Sequence, residues 1–217
     1  GSEFLTDVQS LAVSWGQIEE ISGVVLSNVA GREVGISIAE LVAYRNVPLI
    51  EIRSESKRCG VRNRYRNVSQ LGSDRWAALV AARFFEKNCC LVMNCGTATT
   101  IDLLTSDGVF WGGTIMPGIG LMYQALEKNT DQLQNKPGNY NSFPRATSDA
   151  ITTGVIDAIC GAVERMRVKA KQEKCENPQI IGSGGYFEMI GNYLQGPFEY
   201  KKNLVLEGVA RIGWSLI

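Results

Sequence analysis

The stretch from Leu91 to Leu126 constrains the fold more than any other part of this chain. It opens on an apolar run, Leu91-Val92-Met93, that reads as a buried strand. A small, hydroxyl-rich turn follows, Gly96-Thr97-Ala98-Thr99-Thr100, overlapping a β-branched run that continues through Ile101-Asp102-Leu103-Leu104. Ser106-Asp107-Gly108 then reads as a hairpin turn into a third apolar run, Val109-Phe110-Trp111. Gly112-Gly113 is expected to break that run, and Pro117-Gly118 to open a helix carrying Leu121, Met122, Ala125 and Leu126. This order differs from a Walker-type phosphate loop, which passes directly from strand to helix and carries Gly-Lys-Ser/Thr. The Gly-Thr turn still has chemistry to offer. Glycine lets a ligand approach the backbone, and threonines supply hydroxyl and N–H donors to phosphate oxygens. Taken alone, the pattern fits an ordinary hairpin better than a binding site.

The flanking sequence alternates strand and helix signals, which predicts an α/β architecture with parallel pairing. Residues 6–18 read as a short helix with Val8, Leu11, Ala12 and Trp15 on one face. Gly23 to Ser27 and Pro48 to Ile52 read as strands, with a helix between them around Ile36 to Tyr44. Residues 53–71 are polar and rich in arginine, the usual sign of a solvated loop. Trp76, Leu79, Val80 and Phe84 mark a helix beginning near Asp74, where Ser73 or Asp74 could serve as its cap. Arg75 is poorly suited to that first turn, because a cation there meets the unfavourable end of the helix dipole; beside free N–H groups it fits an anion site better. Thr130 to Pro144 reads as a loop, and a long helix from about Ser148 to Lys171 buries Ile151, Val155, Ile159, Val163 and Met166. Its start is suited to capping by Thr147. Gln179 to Tyr186 is a strand running into a glycine turn, and Asn203 to Val209 opens a final helix.

Composition narrows the chemistry. The 217 residues are 45% hydrophobic, and the formal net charge is zero, so nothing electrostatic favours nucleic acid or an anionic membrane. No apolar run approaches the roughly 20 residues of a membrane span. The chain has no histidine, which removes Ser-His-Asp and Cys-His nucleophiles and the usual zinc sites. Proton transfer must then use Asp, Glu, Lys, Tyr or Cys. Six cysteines without CxxC spacing read as reduced thiols of a cytoplasmic protein, with Cys89 and Cys90 pointing to opposite faces of a strand.

Several motifs in order resemble the type III pantothenate kinases, members of the acetate-and-sugar-kinase/Hsp70/actin superfamily. Gly96-Thr97-Ala98-Thr99-Thr100-Ile101-Asp102 followed by Gly112-Gly113-Thr114-Ile115-Met116-Pro117-Gly118 is similar to the family's second phosphate motif and the segment after it. Gly60 to Trp76 is similar to its Tyr-containing stretch leading to Gly-x-Asp-Arg, here Gly72-Ser73-Asp74-Arg75. Ser183-Gly184-Gly185 resembles the superfamily's adenosine-side Thr-Gly-Gly turn, with serine in place of threonine. The resemblance runs from about Val24 to Gly213.

The resemblance implies two ribonuclease-H-like (actin-like ATPase) lobes around a cleft. Residues 1–71 would be the remainder of the first, and residues 72–217 the second with a dimerisation helix. It implies ATP-dependent phosphorylation of pantothenate, the first step toward coenzyme A, with Mg2+ as cofactor, in a cytoplasmic homodimer. Asp74 would be the catalytic base. Tyr65, Gly72, Ser73, Asp74, Arg75 and Thr147 would bind pantothenate, Thr147 across the dimer. Gly96, Thr97, Ser183, Gly184 and Gly185 would bind ATP. Many members carry Asp where this chain has Asn94, a ligand for K+ or NH4+; Asn keeps an oxygen and loses the charge, which weakens that requirement. The family's first phosphate loop, Asp-x-Gly-Asn-Thr/Ser, does not occur in this sequence, so an N-terminally truncated first lobe with little kinase activity is expected. The alternative is a non-enzymatic accessory factor for transcriptional activation.

Overall fold

One sheet separates the chain's apolar runs into two layers. The computed structural model describes residues 13–15, 18, 20–128 and 138–216. Residues 13–15 are helical, while Val8, Leu11 and Ala12 of the expected first helix lie outside the described residues. A parallel unit follows: β1 (Val24–Leu26), the crossover helix α1 (Arg32–Tyr44) and β2 (Leu49–Glu51), with Val24 opposite Leu49.

The other strands form a seven-stranded sheet. β3 (Lys57–Arg58) and β4 (Val61–Asn63) make a short hairpin, and a 3-10 turn at Val68–Gln70 leads into α2 (Ser73–Phe85). β5 (Cys90–Cys95), β6 (Ala98–Leu104) and β7 (Val109–Pro117) form an antiparallel meander. Then come α3 (Ile119–Lys128), α4 (Thr147–Gln172), β8 (Gln179–Ser183), α5 (Phe187–Gly191), β9 (Phe198–Tyr200) and α6 (Leu204–Trp214). The strand order is β3-β4-β7-β6-β5-β8-β9, with β8 parallel to both β5 and β9. From β7 to β9 this is the ribonuclease-H-like arrangement, as expected. Residues 57–63, on the 1–71 side of the expected division, belong to this sheet, because β4 pairs with β7 and places Asn63 opposite Phe110.

Alternation along β5 sorts the core. Val92 faces α2 and α6, together with Leu104, Phe110, Ile181, Trp76, Leu79 and Ile212. Leu91 and Met93 face α4 and α5, together with Ile101, Ile159, Val163 and Phe187. Helices α2 and α6 cross closely at Gly208, where a Cβ would stand 1.8 Å from the Ala77 carbonyl oxygen.

Two expectations need correction. Gly112-Gly113 does not end the third strand; β7 runs through it. Leu103 pairs with Gly112 and Leu104 with Phe110, so Trp111 is the extra residue of a bulge. The six cysteines are not all reduced, because Cys89 and Cys175 form a disulfide. Adjacent parallel strands β5 and β8 bring their entry loops together, leaving the two Cα atoms 5.8 Å apart, within bridging range. Cys59, Cys90, Cys95 and Cys160 are free.

Candidate active site

The sheet register assembles most of the expected site residues on one face. Ser183, Asn94, Thr100 and Ile115 are ladder partners across β8, β5, β6 and β7. The next row toward the α2 side of the core is Ile181, Val92, Asp102 and Gly113. Paired residues share a face, and residues two apart on a strand share it too. Since Ile181 and Val92 pack beneath α2 and α6, both rows face that side.

Helix α2 begins over the lower row. Its N-cap is Gly72, with no side-chain cap; Ser73 and Asp74 lie within the first turn, which corrects the expected capping role. The half-buried Asp74 carboxylate accepts the Arg75 N–H at 2.7 Å. Gly72 leaves room for this carboxylate, since a Cβ there would come within 2.6 Å of Asp74 Oδ1 and push it aside. The turn is held from outside by the Ser27 hydroxyl, 2.8 Å from that of Ser73.

Arg75 is not a free anion holder. Its guanidinium is 6% exposed and donates twice to Asp102, Nε to Oδ2 at 3.0 Å and Nη2 to Oδ1 at 2.5 Å. Nη1 donates to the Tyr65 hydroxyl at 3.1 Å. Three of its five N–H donors are thus used, and two have no protein partner among the described residues. Burial would lower the Arg75 pKa, but the bonds to Asp102 outweigh it and hold the cation above its ordinary value. Burial pushes the Asp102 carboxyl up, Arg75 opposes this, and nearby Asp74 adds to the rise. Gly113 makes room for the pair, because a Cβ there would lie 1.8 Å from Asp102 Oδ1. Asp102 is the residue that motif reading missed. Its signal was a lone carboxylate in a β-branched run, which once buried needs a cationic partner.

At the other end of the row two glycine turns stand side by side. The Gly96 N–H donates to the Ala98 carbonyl at 3.1 Å, leaving Thr97 exposed. The Gly118 N–H donates to the Thr97 carbonyl at 2.9 Å, so the chain entering α3 closes on this turn. Gly184, at φ 96°, comes so near that a Cβ would be 2.5 Å from the Cys95 carbonyl oxygen and 2.7 Å from Asn94 Oδ1. Gly185 is exposed, whereas Ser183 is buried with its hydroxyl 3.4 Å from the Lys202 carbonyl. Both turns follow the C-terminal ends of the parallel strands β5 and β8, where open α/β sheets bind ligands.

Thr147 is not brought to this cluster within one chain. It starts α4 on the opposite face, is exposed, and follows the N-cap Ala146 rather than capping the helix itself. Among the described residues no three His, Cys, Asp or Glu side chains are grouped to hold a metal ion.

The family profile of type III pantothenate kinases matches residues 5–169. The type III pantothenate kinase of Dechloromonas aromatica is 45% identical over 204 residues, 93% of this chain and 82% of the relative. That of Nitrosospira multiformis is 40% identical over 206 residues, 95% of this chain and 79% of the relative. A solved structure from Campylobacter jejuni, of a protein assigned to the Baf family of transcriptional activators, superposes with TM-score 0.62 at 22% identity. It covers 94% of this chain and 88% of its own, a likeness of fold alone. The chain belongs to the type III pantothenate kinase family.

Proposed function

We propose that this chain transfers the γ-phosphoryl group of ATP to the terminal hydroxyl of pantothenate, the first step toward coenzyme A. The observation that carries this reading is the shared sheet face: the glycine turns beside Asn94 lie at one end and the Asp74–Arg75–Asp102 cluster at the other. Donor and acceptor can therefore approach along one surface. Phosphoryl transfer depends mainly on positioning and charge neutralisation, with a carboxylate near the attacking hydroxyl to accept its proton. Asp74 takes the hydroxyl proton as the new O–P bond forms and the bond to ADP breaks. Arg75 and Tyr65 hold pantothenate, with Asp102 fixing the guanidinium plane, and Gly72 and Ser73 shape the turn. Gly96, Thr97, Gly184 and Gly185 line the nucleotide, with Ser183 supporting the second turn.

Among the described residues no three His, Cys, Asp or Glu side chains group to hold a metal ion, so in this reading Mg2+ would be held chiefly by phosphate oxygens and water, as is usual for nucleotide-bound magnesium. Asn94 Oδ1 beside the Cys95 carbonyl is the position for K+ or NH4+, bound more weakly than at a carboxylate. The pairing of β4 with β7 supports drawing the boundary of the first lobe ahead of residues 57–63 in this reading. Helix α4 forms a homodimer and carries Thr147 to the partner's pocket. The compartment is the cytoplasm. The accessory-factor alternative has only a fold likeness at 22% identity behind it.

The test is ADP release in the presence of pantothenate. With an Asp-x-Gly-Asn-Thr/Ser hairpin joined ahead of this chain, pantothenate-dependent turnover that vanishes in Asp74→Asn is expected. Turnover independent of pantothenate, or an unaffected variant, would overturn the reading.

A further inference from the structure

We propose that Ile115 selects the acceptor, forming the apolar wall against which the branched carbon next to the reacting hydroxyl packs. The inference rests on the pantothenate reading above. Along β6 and β7, three successive rows on the α2 side are Asp102 with Gly113, Thr100 with Ile115, and Ala98 with Pro117. Beyond the last row is the Gly96-Thr97 turn. Two residues along a strand span about 6.6 Å, so Ile115 stands one such step from the Arg75–Asp102 pair and about two from that turn. A hydroxyl that gives its proton to Asp74 and receives phosphorus from the turn side must lie over this middle row.

The two side chains there differ. Thr100 is 8% exposed, while Ile115 is 63% exposed, a β-branched apolar surface open to water one row above a buried ion pair. Binding pockets usually combine apolar walls with a few placed polar groups, and this face otherwise presents Asn94, Thr100, Asp74 and Arg75. Pantothenate carries two methyl groups on the carbon adjoining its CH2OH. A ligand with its hydroxyl at Asp74 brings that carbon within reach of Ile115. Burying the methyls there removes two apolar surfaces from water at once. An acceptor without them gains nothing at this wall, so the side chain discriminates among primary alcohols by what adjoins the hydroxyl.

Calorimetric titration of the chain with pantothenate, and with the analogue lacking both methyl groups, tests this directly. The unsubstituted protein is expected to prefer pantothenate roughly tenfold, the worth of two buried methyl groups. Ile115→Ala should cut that preference to about twofold while changing affinity for the analogue less than twofold, with Ile115→Val in between. Because the side chain is mostly exposed, its truncation leaves the core intact, and an unchanged Tm verifies this. An Ile115→Ala protein that keeps the full tenfold preference overturns the inference and leaves the kinase reading standing. An unsubstituted protein that binds neither compound overturns both.

Discussion

Two helices begin on opposite faces of the same sheet, and their first turns do different work. At the start of α2, Asp74 and Arg75 stand over a strand that supplies a buried counter-charge, Asp102. At the start of α4, Asp149 accepts bonds from the Asn139 N–H at 2.9 Å and from Asn141 Nδ2 at 3.1 Å, anchoring a loop, while Thr147 stays exposed. Both turns carry an acid near a helix N-terminus, the favourable end of the dipole. The strand beneath makes the difference. A carboxylate facing the helix converts its first turn into a fixed, charged cluster; without one, the turn only ties down a loop.

The largest expected effect tests that counter-charge. Asp102→Asn leaves the buried Arg75 cation without its carboxylate, which should cost about 3–5 kcal/mol in urea denaturation. Asp149→Asn, on exposed bonds, should cost less than about 1 kcal/mol. Equal losses would break the contrast between the two turns.

Next is chemistry. In a version that also carries the Asp-x-Gly-Asn-Thr/Ser loop, Asp74→Asn is expected to lower kcat by at least ~100-fold with KM for ATP nearly unchanged. A parallel loss of ATP affinity would make Asp74 structural.

A subtler experiment asks whether α4 acts in trans. Thr147→Val should raise KM for pantothenate several-fold, about 1 kcal/mol for one lost hydrogen bond. Mixing it with Asp74→Asn should restore one intact site per mixed dimer. No recovery on mixing would confine each site to its own chain.

The smallest effect should treat both faces alike. Cys90 faces α2 and Cys95 faces α4, and burial pushes both thiols up from 9.0 to about 12. The folded chain thus holds these protons more tightly than the unfolded one. The stability they contribute is complete below pH 9.0 and is lost as pH rises through about 12. Native alkylation at pH 8 should therefore label exposed Cys59 and spare Cys90 and Cys95.

Much of this was legible in the sequence. The strands and turns of the central stretch follow from local periodicity, and the glycine turns from local composition. What escaped depends on contacts distant along the chain. Arg75 and Asp102 are 27 positions apart, and neither residue type names its partner. β3 and β4 hid in an arginine-rich stretch because only Val61 and Asn63 turn inward, while Arg62 faces out. The bulge at Trp111 was masked by its two glycines, which suggest a break when read without the partner strand. The two glycine turns were expected, but the row of Ser183, Asn94, Thr100 and Ile115 below them is a matter of register, which needs the sheet.

The Cys89–Cys175 bridge spans 86 positions and encloses the meander, α3 and α4 in a single covalent ring. In the chain-entropy view, closing a ring of that size handicaps the unfolded state by about 4–5 kcal/mol. The ring is also topological. One cut of the backbone anywhere inside it leaves a molecule that still migrates as one piece until a reductant is added. In a reducing compartment the ring opens and that handicap disappears. The same polypeptide then has two thermal stabilities, chosen by the redox state around it.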